Sequence, residues 1–394
     1  MDSFSAVATP GLPLIAWSLG LCLLSILLIQ RLIPLKVTIP LVVIKFLIPF
    51  SYFGIWADGS WFIGGDDSGY MEAGLMLIET GLHPLSIPFD PKAGALFSSP
   101  SVAIYQWWNM LWMYLIERAY YAPVLANVFV SVLSGLIFFG ILQEIGFPKI
   151  YRQGFLVFFL LHWDTIVWTS LLNLKEPLVI FAMLVFIRSA LNLENRQKIW
   201  LGLAGILGCT VFFQGIRFYF PALMGAAYLT YLVLHYRNTK VLLVTLSLAI
   251  AVAFLYLEKF VPLLRELMAP QVFGHGIARV LFSPIPWRVT DPATYLIPGS
   301  ILHWVLLPGA FFAGWQFIRR PDGARFLILF LLVGLAFYAL VPRLGSPRHR
   351  APLMALWALL EYHFLYLIFI TWLRCTCVNA CKEFGSLVSR VQLR

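Results

Sequence analysis

Residues 122–146, APVLANVFVSVLSGLIFFGILQEIG, run for 25 positions with one charge, Glu144, near the end. Crossing the hydrocarbon core of a bilayer takes roughly 20 consecutive apolar residues in a helix. The stretch therefore reads as a transmembrane helix. Runs of the same kind recur at 12–33, 37–55, 153–172, 177–193, 199–214, 218–236, 240–258, 300–318, 325–342 and 351–373, giving about eleven expected spans, within limits of ten and thirteen. Over all 394 residues the chain is 61% hydrophobic and 12% charged, where an ordinary soluble domain carries roughly 25% charge. That composition, with a mean hydropathy of +0.85, excludes a water-soluble globule, a disordered tail and a small disulfide scaffold. The expected fold class is all-α: a polytopic transmembrane helical protein forming one integral-membrane domain, 1–394.

The net charge of +10 would suggest nucleic acid in a soluble protein, but here the basic residues fall into a topological pattern. With the N-terminus outside, the inner connections contain Arg31 and Lys36, Lys149 and Arg152, Arg196 and Lys198, Arg237 and Lys240, then Arg319, Arg320 and Arg325. Each is short and basic, as the positive-inside rule expects. The outer face receives two long loops, 56–121 and 259–299, and the tail 374–394 is cytoplasmic. Within the first loop, 101–121 (SVAIYQWWNMLWMYLIERAYY) reads as an interfacial or re-entrant helix. The opening MDSFSAVATPG has no basic residue, so the first apolar run is expected to stay as an anchor and not to be cleaved. Cys22 and Cys209 fall in apolar runs and read as packing residues; Cys375, Cys377 and Cys381 fall one ligand short of a closed zinc site.

Polar residues collect on the predicted outer side. In WFIGGDDSGYMEAGLMLIETGLHP (61–84) two glycines precede Asp66 and Asp67, with Tyr70 a turn later. A carboxylate there can serve as general base toward a hydroxyl or hold a divalent cation; an Asx turn capping a helix at 68–79 accounts for the same residues. Lys175 and Glu176 precede Pro177, which opens a span. Glu176 suits the positive end of that helix, while Lys175 is either a phosphate ligand or a lysine snorkelling to the interface. Arg217, with Gln214 and Tyr219, lies where a span turns back, and a guanidinium there needs a carboxylate, phosphate or lipid headgroup partner.

The last outer connection gathers Arg343, Arg348, His349 and Arg350. So many cations on the non-cytoplasmic side run against the charge bias and point to binding of an anion. Trp287, in the turn FSPIPWR, stacks on a sugar ring or sits in the aromatic belt, and Arg288 beside it is a candidate substrate-binding residue. His275 lacks a metal partner in its neighbourhood. Asp164 and Arg188 fall inside spans; the first reads as a structural hydrogen bond to a neighbouring Trp or Thr, the second as a snorkelling cation.

The acidic pair with its following tyrosine (Asp66, Asp67, Tyr70), the many spans and the late element Arg348, Arg350, Pro352 together resemble the GT-C superfamily of membrane glycosyltransferases. The N-L-K-E-P and S-P-I-P-W stretches are similar to bacterial polysaccharide-assembly proteins of that type. The resemblance runs from about residue 55 to 373 on short motifs. It implies a multi-pass protein of the bacterial inner (plasma) membrane that transfers sugar from a polyprenyl-phosphate-linked donor to a glycan or other hydroxyl acceptor. Asp66 or Asp67 would be base or metal ligand, and Lys175, Arg217, Arg348 and Arg350 would hold the lipid phosphate. A divalent cation, magnesium or manganese, is compatible with this chemistry and not required by it. The chain departs from many relatives in having no large soluble C-terminal domain and an N-terminus read as outside. Three other functions stay open: a polymerase or ligase moving whole lipid-linked oligosaccharides, a transporter or flippase of an anionic lipid or solute, and a non-catalytic scaffold.

Overall fold

The computed structural model describes residues 11–53, 66–87, 96–97, 102–194, 197–235, 273–290, 293–320, 323–341 and 347–391. Among them every regular element is helical. The first half comprises α1 (Leu12–Ile29), α2 (Leu35–Ser51), α3 (Asp66–Glu79), α4 (Ala103–Leu115), α5 (Tyr121–Glu144), α6 (Lys149–Leu161) and α7 (Trp163–Ile166). The second comprises α8 (Glu176–Leu193), α9 (Ile199–Gln214), α10 (Phe220–His235), α11 (Phe273–Phe282), α12 (Ile297–Arg319), α13 (Gly323–Leu340) and α14 (Pro347–Val391).

Among the described residues six helices are long and apolar enough to cross a membrane: α1, α5, α8, α12 with the short turn before it, α13, and α14 over Ala351–Trp372. The expected span 153–172 is not one straight rod. At His162 the backbone is extended, so α6 and the segment Trp163–Leu171 meet at 54°; counted as one broken span they make a seventh. A run of apolar residues fixes length but carries no trace of such a bend. Helices α9 and α10 are apolar and shorter, and α2 holds Pro40, Pro49 and a buried Lys45 within 17 residues. The expected span 240–258 lies outside the described residues.

The centre of the bundle is α5 against α8: 72% of each span window is buried, against 33% for α1. Helix α5 stops where its sequence changes character. Gly146 adopts φ +88°, the left-handed conformation glycine enters without strain, and the Phe147 N–H closes back on the Leu142 carbonyl at 2.9 Å. On the periphery, α9 turns Trp200, Leu201, Leu207 and Val211 outward. In water such a face would be an association hazard; in lipid it is ordinary.

The acidic loop and the Trp-rich segment fold as a pair, α3 packed on α4. Their contact is close because position 74 is glycine: a Cβ there would meet the Asn109 Cβ at 2.9 Å and the Met110 backbone nitrogen at 3.0 Å. At 13 residues, α4 is roughly 20 Å long, short of the roughly 30 Å hydrocarbon core. It buries Tyr105, Gln106, Asn109, Met110 and Met113 toward the body of the protein.

The helix directions give the bundle two chemically different ends. Helices α5 and α8 start together, since Asn127 near the start of α5 donates to the Leu174 carbonyl just before α8. They also finish together, where Glu144 pairs with Arg188 and Lys198. Arg188, expected as a snorkelling cation, has this partner at the boundary.

Candidate active site

At the starting end of α5 and α8, residues far apart in sequence converge on one carboxylate. Glu176, first residue of α8, is fully buried. Its Oε1 accepts from Arg217 Nη2 at 2.5 Å and from Arg348 Nε at 3.0 Å. Its Oε2 is buried with no hydrogen-bond partner. A charge in such a place is costly unless it is paired, and two guanidiniums supply the pairing. The first turn of α8 adds its unsatisfied N–H groups, the positive end of the helix dipole.

Arg348, in the first turn of α14, uses its whole planar fork. Nε meets Glu176, Nη1 meets Asp66 Oδ2, and Nη2 donates to the Tyr70 hydroxyl at 3.4 Å. Its side chain is 19% exposed and that of Asp66 60%, so this edge of the cluster faces outward. Arg217, by contrast, lies within the protein, bonded to Glu176, to the Tyr219 hydroxyl at 3.3 Å and to the Tyr338 hydroxyl at 3.4 Å. Both guanidiniums have their proton affinity raised: burial opposes this, and the surrounding tyrosines and Glu176 outweigh it. Arg217 positions Glu176; Arg348 reaches the surface.

Lys175 donates to the Ile216 carbonyl at 2.9 Å. Burial, then the charge of Arg217, pull its pKa down to about 7, with Glu176 acting in the opposite direction.

The two aspartates separate. Asp67 is 2% exposed and turned inward, its Oδ1 accepting the Ser68 N–H at 3.0 Å and its Oδ2 the Tyr120 hydroxyl at 3.4 Å. Burial raises its pKa, partly offset by these hydrogen bonds and by Arg348. Asp66 is the carboxylate that looks outward. The helix expected at 68–79 begins at Asp66, so both aspartates lie in its first turn, Asp67 bonding the Ser68 N–H.

Beneath the charges lies a layer of neutral polar side chains. Asn173 Nδ2 bonds the Asn109 Oδ1 at 2.6 Å and the Asp67 carbonyl at 3.3 Å, and its Oδ1 accepts from the Tyr105 hydroxyl at 2.8 Å. Asn127 donates to that same hydroxyl at 2.9 Å, and the Asn173 N–H reaches the Tyr120 hydroxyl at 3.0 Å. Asn109, Asn127 and Asn173 are all 0% exposed. Their pairing ties α3, α4, α5 and the loop before α8 into one support, and a satisfied buried network of this kind specifies a single arrangement. Sequence reasoning passed over Tyr105, Asn109, Tyr120 and Asn127; lone amides in otherwise apolar helices were the available signal.

Of the expected site residues, then, Asp66, Asp67, Tyr70, Lys175, Glu176, Arg217 and Arg348 come together. Trp287 and Arg288 make no hydrogen bond or ion pair to this cluster; Trp287 packs edge-on against Trp304 at 5.3 Å. The backbones of His349 and Arg350 lie in the first turn of α14, their side chains outside the described atoms, and Arg343 lies outside the described residues. Asp164 sits beside Gly299. Among the described residues it makes no side-chain hydrogen bond to a Trp or Thr, a correction to the expectation; its neighbour Trp163 donates to the Tyr295 carbonyl at 2.8 Å. Among the described residues no three His, Cys, Asp or Glu side chains are arranged to hold a metal ion. Asp66 is engaged by Arg348 and Asp67 by the Tyr120 hydroxyl, so neither carboxylate stands in a ready-made set of ligands for magnesium or manganese. Set against known protein families, curated proteins and solved structures, the chain has no match.

Proposed function

We propose that this protein is a GT-C-type membrane glycosyltransferase. It takes sugar from a polyprenyl-phosphate-linked donor and transfers it to a glycan or other hydroxyl acceptor, in polysaccharide assembly at the non-cytoplasmic face of the bacterial inner membrane. In this reading α2, α9 and α10 also cross the bilayer, the full count is about eleven, the charged cluster is outside and the C-terminus is cytoplasmic. One observation carries the reading: Arg348 stands between Asp66, Tyr70 and Glu176 at one end of an apolar bundle. A lipid-borne donor needs its prenyl chain in the membrane and its phosphate at such an end.

The chemistry follows from the groups present. Asp66 takes the proton of the acceptor hydroxyl as its oxygen bonds to the anomeric carbon. The bond from that carbon to the phosphate oxygen breaks, its electron pair leaves with the phosphate, and Arg348 stabilises the charge that develops there. Arg217 and Glu176 hold Arg348 in place. Asp66→Asn is expected to lower transfer by about 10²-fold or more, as loss of a general base does, with the fold intact. Asp67→Asn weakens the support beneath it, and the loss appears mainly in thermal stability. Radiolabelled transfer in membranes, beside melting of the purified variants, checks both. Full activity in both variants with none in Arg348→Gln favours instead a ligase or polymerase that works by arginines alone.

Lys175 adds a pH signature. Its proton is held with a pKa of about 7, so acidification through neutrality adds a cation and binding of a phosphate-bearing donor tightens. Above that pH the added attraction is lost. Lys175→Arg, charged throughout, is expected to flatten the profile between pH 6 and 8, the interval around that value; an unchanged profile rejects the assignment.

A second reading, a carrier for an anionic lipid or solute, draws on the charges buried within the bundle. Lys45 reaches Thr169 Oγ1 at 3.2 Å beside the bend, and Glu361 lies between His162 at 2.8 Å and His303 at 3.5 Å. Ionisable residues at that depth are commonly functional. Reconstituted vesicles that move substrate without any covalent product would favour it.

A further inference from the structure

A second cationic site shares no residue with the Arg348 cluster and is independent of the transferase reading. Between α11, the turn after it and α12 is a cleft of about 590 Å³ lined by Arg279, Phe282, Ser283, Arg288 and Trp304, with further apolar residues and, among the described residues, no acidic side chain. Its size falls within the range of small-ligand sites, roughly 300–1,000 Å³. Arg279 buries Nε and Nη2 with no hydrogen-bond partner. Leaving the charge of a permanent cation uncompensated is costly, and an anion in the cleft, beside Arg279 and Arg288, offsets that cost.

The walls are held before any ligand arrives. Carbonyls of the α11 end and the turn are each bound by a side chain of α12: Leu281 by His303 at 2.7 Å, Phe282 by Trp304 at 3.0 Å, and Pro284 by Ser300. Trp304 also packs against Phe282 at 5.4 Å and Trp287 at 5.3 Å. On α12, Ile301 and Pro308 share the face of Trp304 at three and four residues' distance and are exposed. An apolar, lipid-facing stripe thus leads to the cleft, and Trp287, 73% exposed, stands beside it.

From this we propose that the cleft binds the phosphate headgroup of an anionic lipid, with Arg279 and Arg288 on the phosphate and the lipid chain along the exposed face of α12. The chemistry shared with free phosphate is recognition by two guanidiniums; the stripe favours an amphiphile. The full chain in detergent, examined by native mass spectrometry, is expected to retain one phosphatidylglycerol in preference to phosphatidylcholine. In the double variant Arg279→Gln, Arg288→Gln this retention is expected to fall about tenfold, the loss that goes with one or two charge-assisted hydrogen bonds. Arg288→Gln alone, at an exposed position, is expected to weaken binding without touching the fold and serves if the double variant does not assemble. Equal retention in the variants, no preference over phosphatidylcholine, or displacement of the lipid by millimolar inorganic phosphate overturns the proposal, the last by naming free phosphate as the ligand.

Discussion

Arg348→Gln is expected to abolish sugar transfer, with a loss of roughly 10²–10³-fold or more, the usual cost of removing one preorganised group that stabilises developing charge. Three features make this the most damaging single change to activity. The guanidinium contacts Asp66, Tyr70 and Glu176 at once. It stands at the open edge of the cluster, and it is a planar fork, for which glutamine offers a single amide. Arg348→Lys retains charge but not the fork and is expected to recover only a small part of the rate. Initial rates with a polyprenyl-phosphate sugar, on purified variants of wild-type melting temperature, provide the comparison. A rate near wild type for Arg348→Gln would remove the arginine from the reaction.

Arg217→Met is expected to act on stability first. It leaves Glu176 fully buried with one oxygen lacking any partner and the other dependent on Arg348 alone. Breaking a buried pair from one side costs about 3–5 kcal/mol. The double variant Arg217→Met, Glu176→Gln removes the stranded charge, so it is expected to be more stable than Arg217→Met by itself. Thermal unfolding in detergent, together with the yield of monodisperse protein, reads both. A single variant that melts like wild type would show that the ion pair is dispensable to the fold.

The charged half of the site was legible because ionisable residues stand out against an apolar background. Asp66, Asp67, Lys175, Glu176, Arg217 and Arg348 could each be picked from sequence, and each proves to lie in one cluster. What could not be read was which charges are partners. Glu176 looked like a residue for a helix start and is also the common acceptor of two arginines. Trp287 and Arg288 were grouped with the others on the strength of a shared side, yet they belong to a different recess, since position along the chain says nothing of lateral distance. The amide layer escaped notice for another reason. Asn109 and Asn127 are neutral, and a neutral polar residue within an apolar run is statistically inconspicuous until its partner is known. Span reading recovered the long helices and missed the 54° bend at His162, because hydropathy averages over the residue at which the backbone breaks.

Glu176 Oε1 serves two guanidiniums from one atom, and that couples positions 176, 217 and 348 energetically. A drift to aspartate would withdraw the shared acceptor by a methylene and loosen both arginines in a single step. The three side chains therefore act as one unit, and a change at any one of them is expected to be tolerated only with changes at the others.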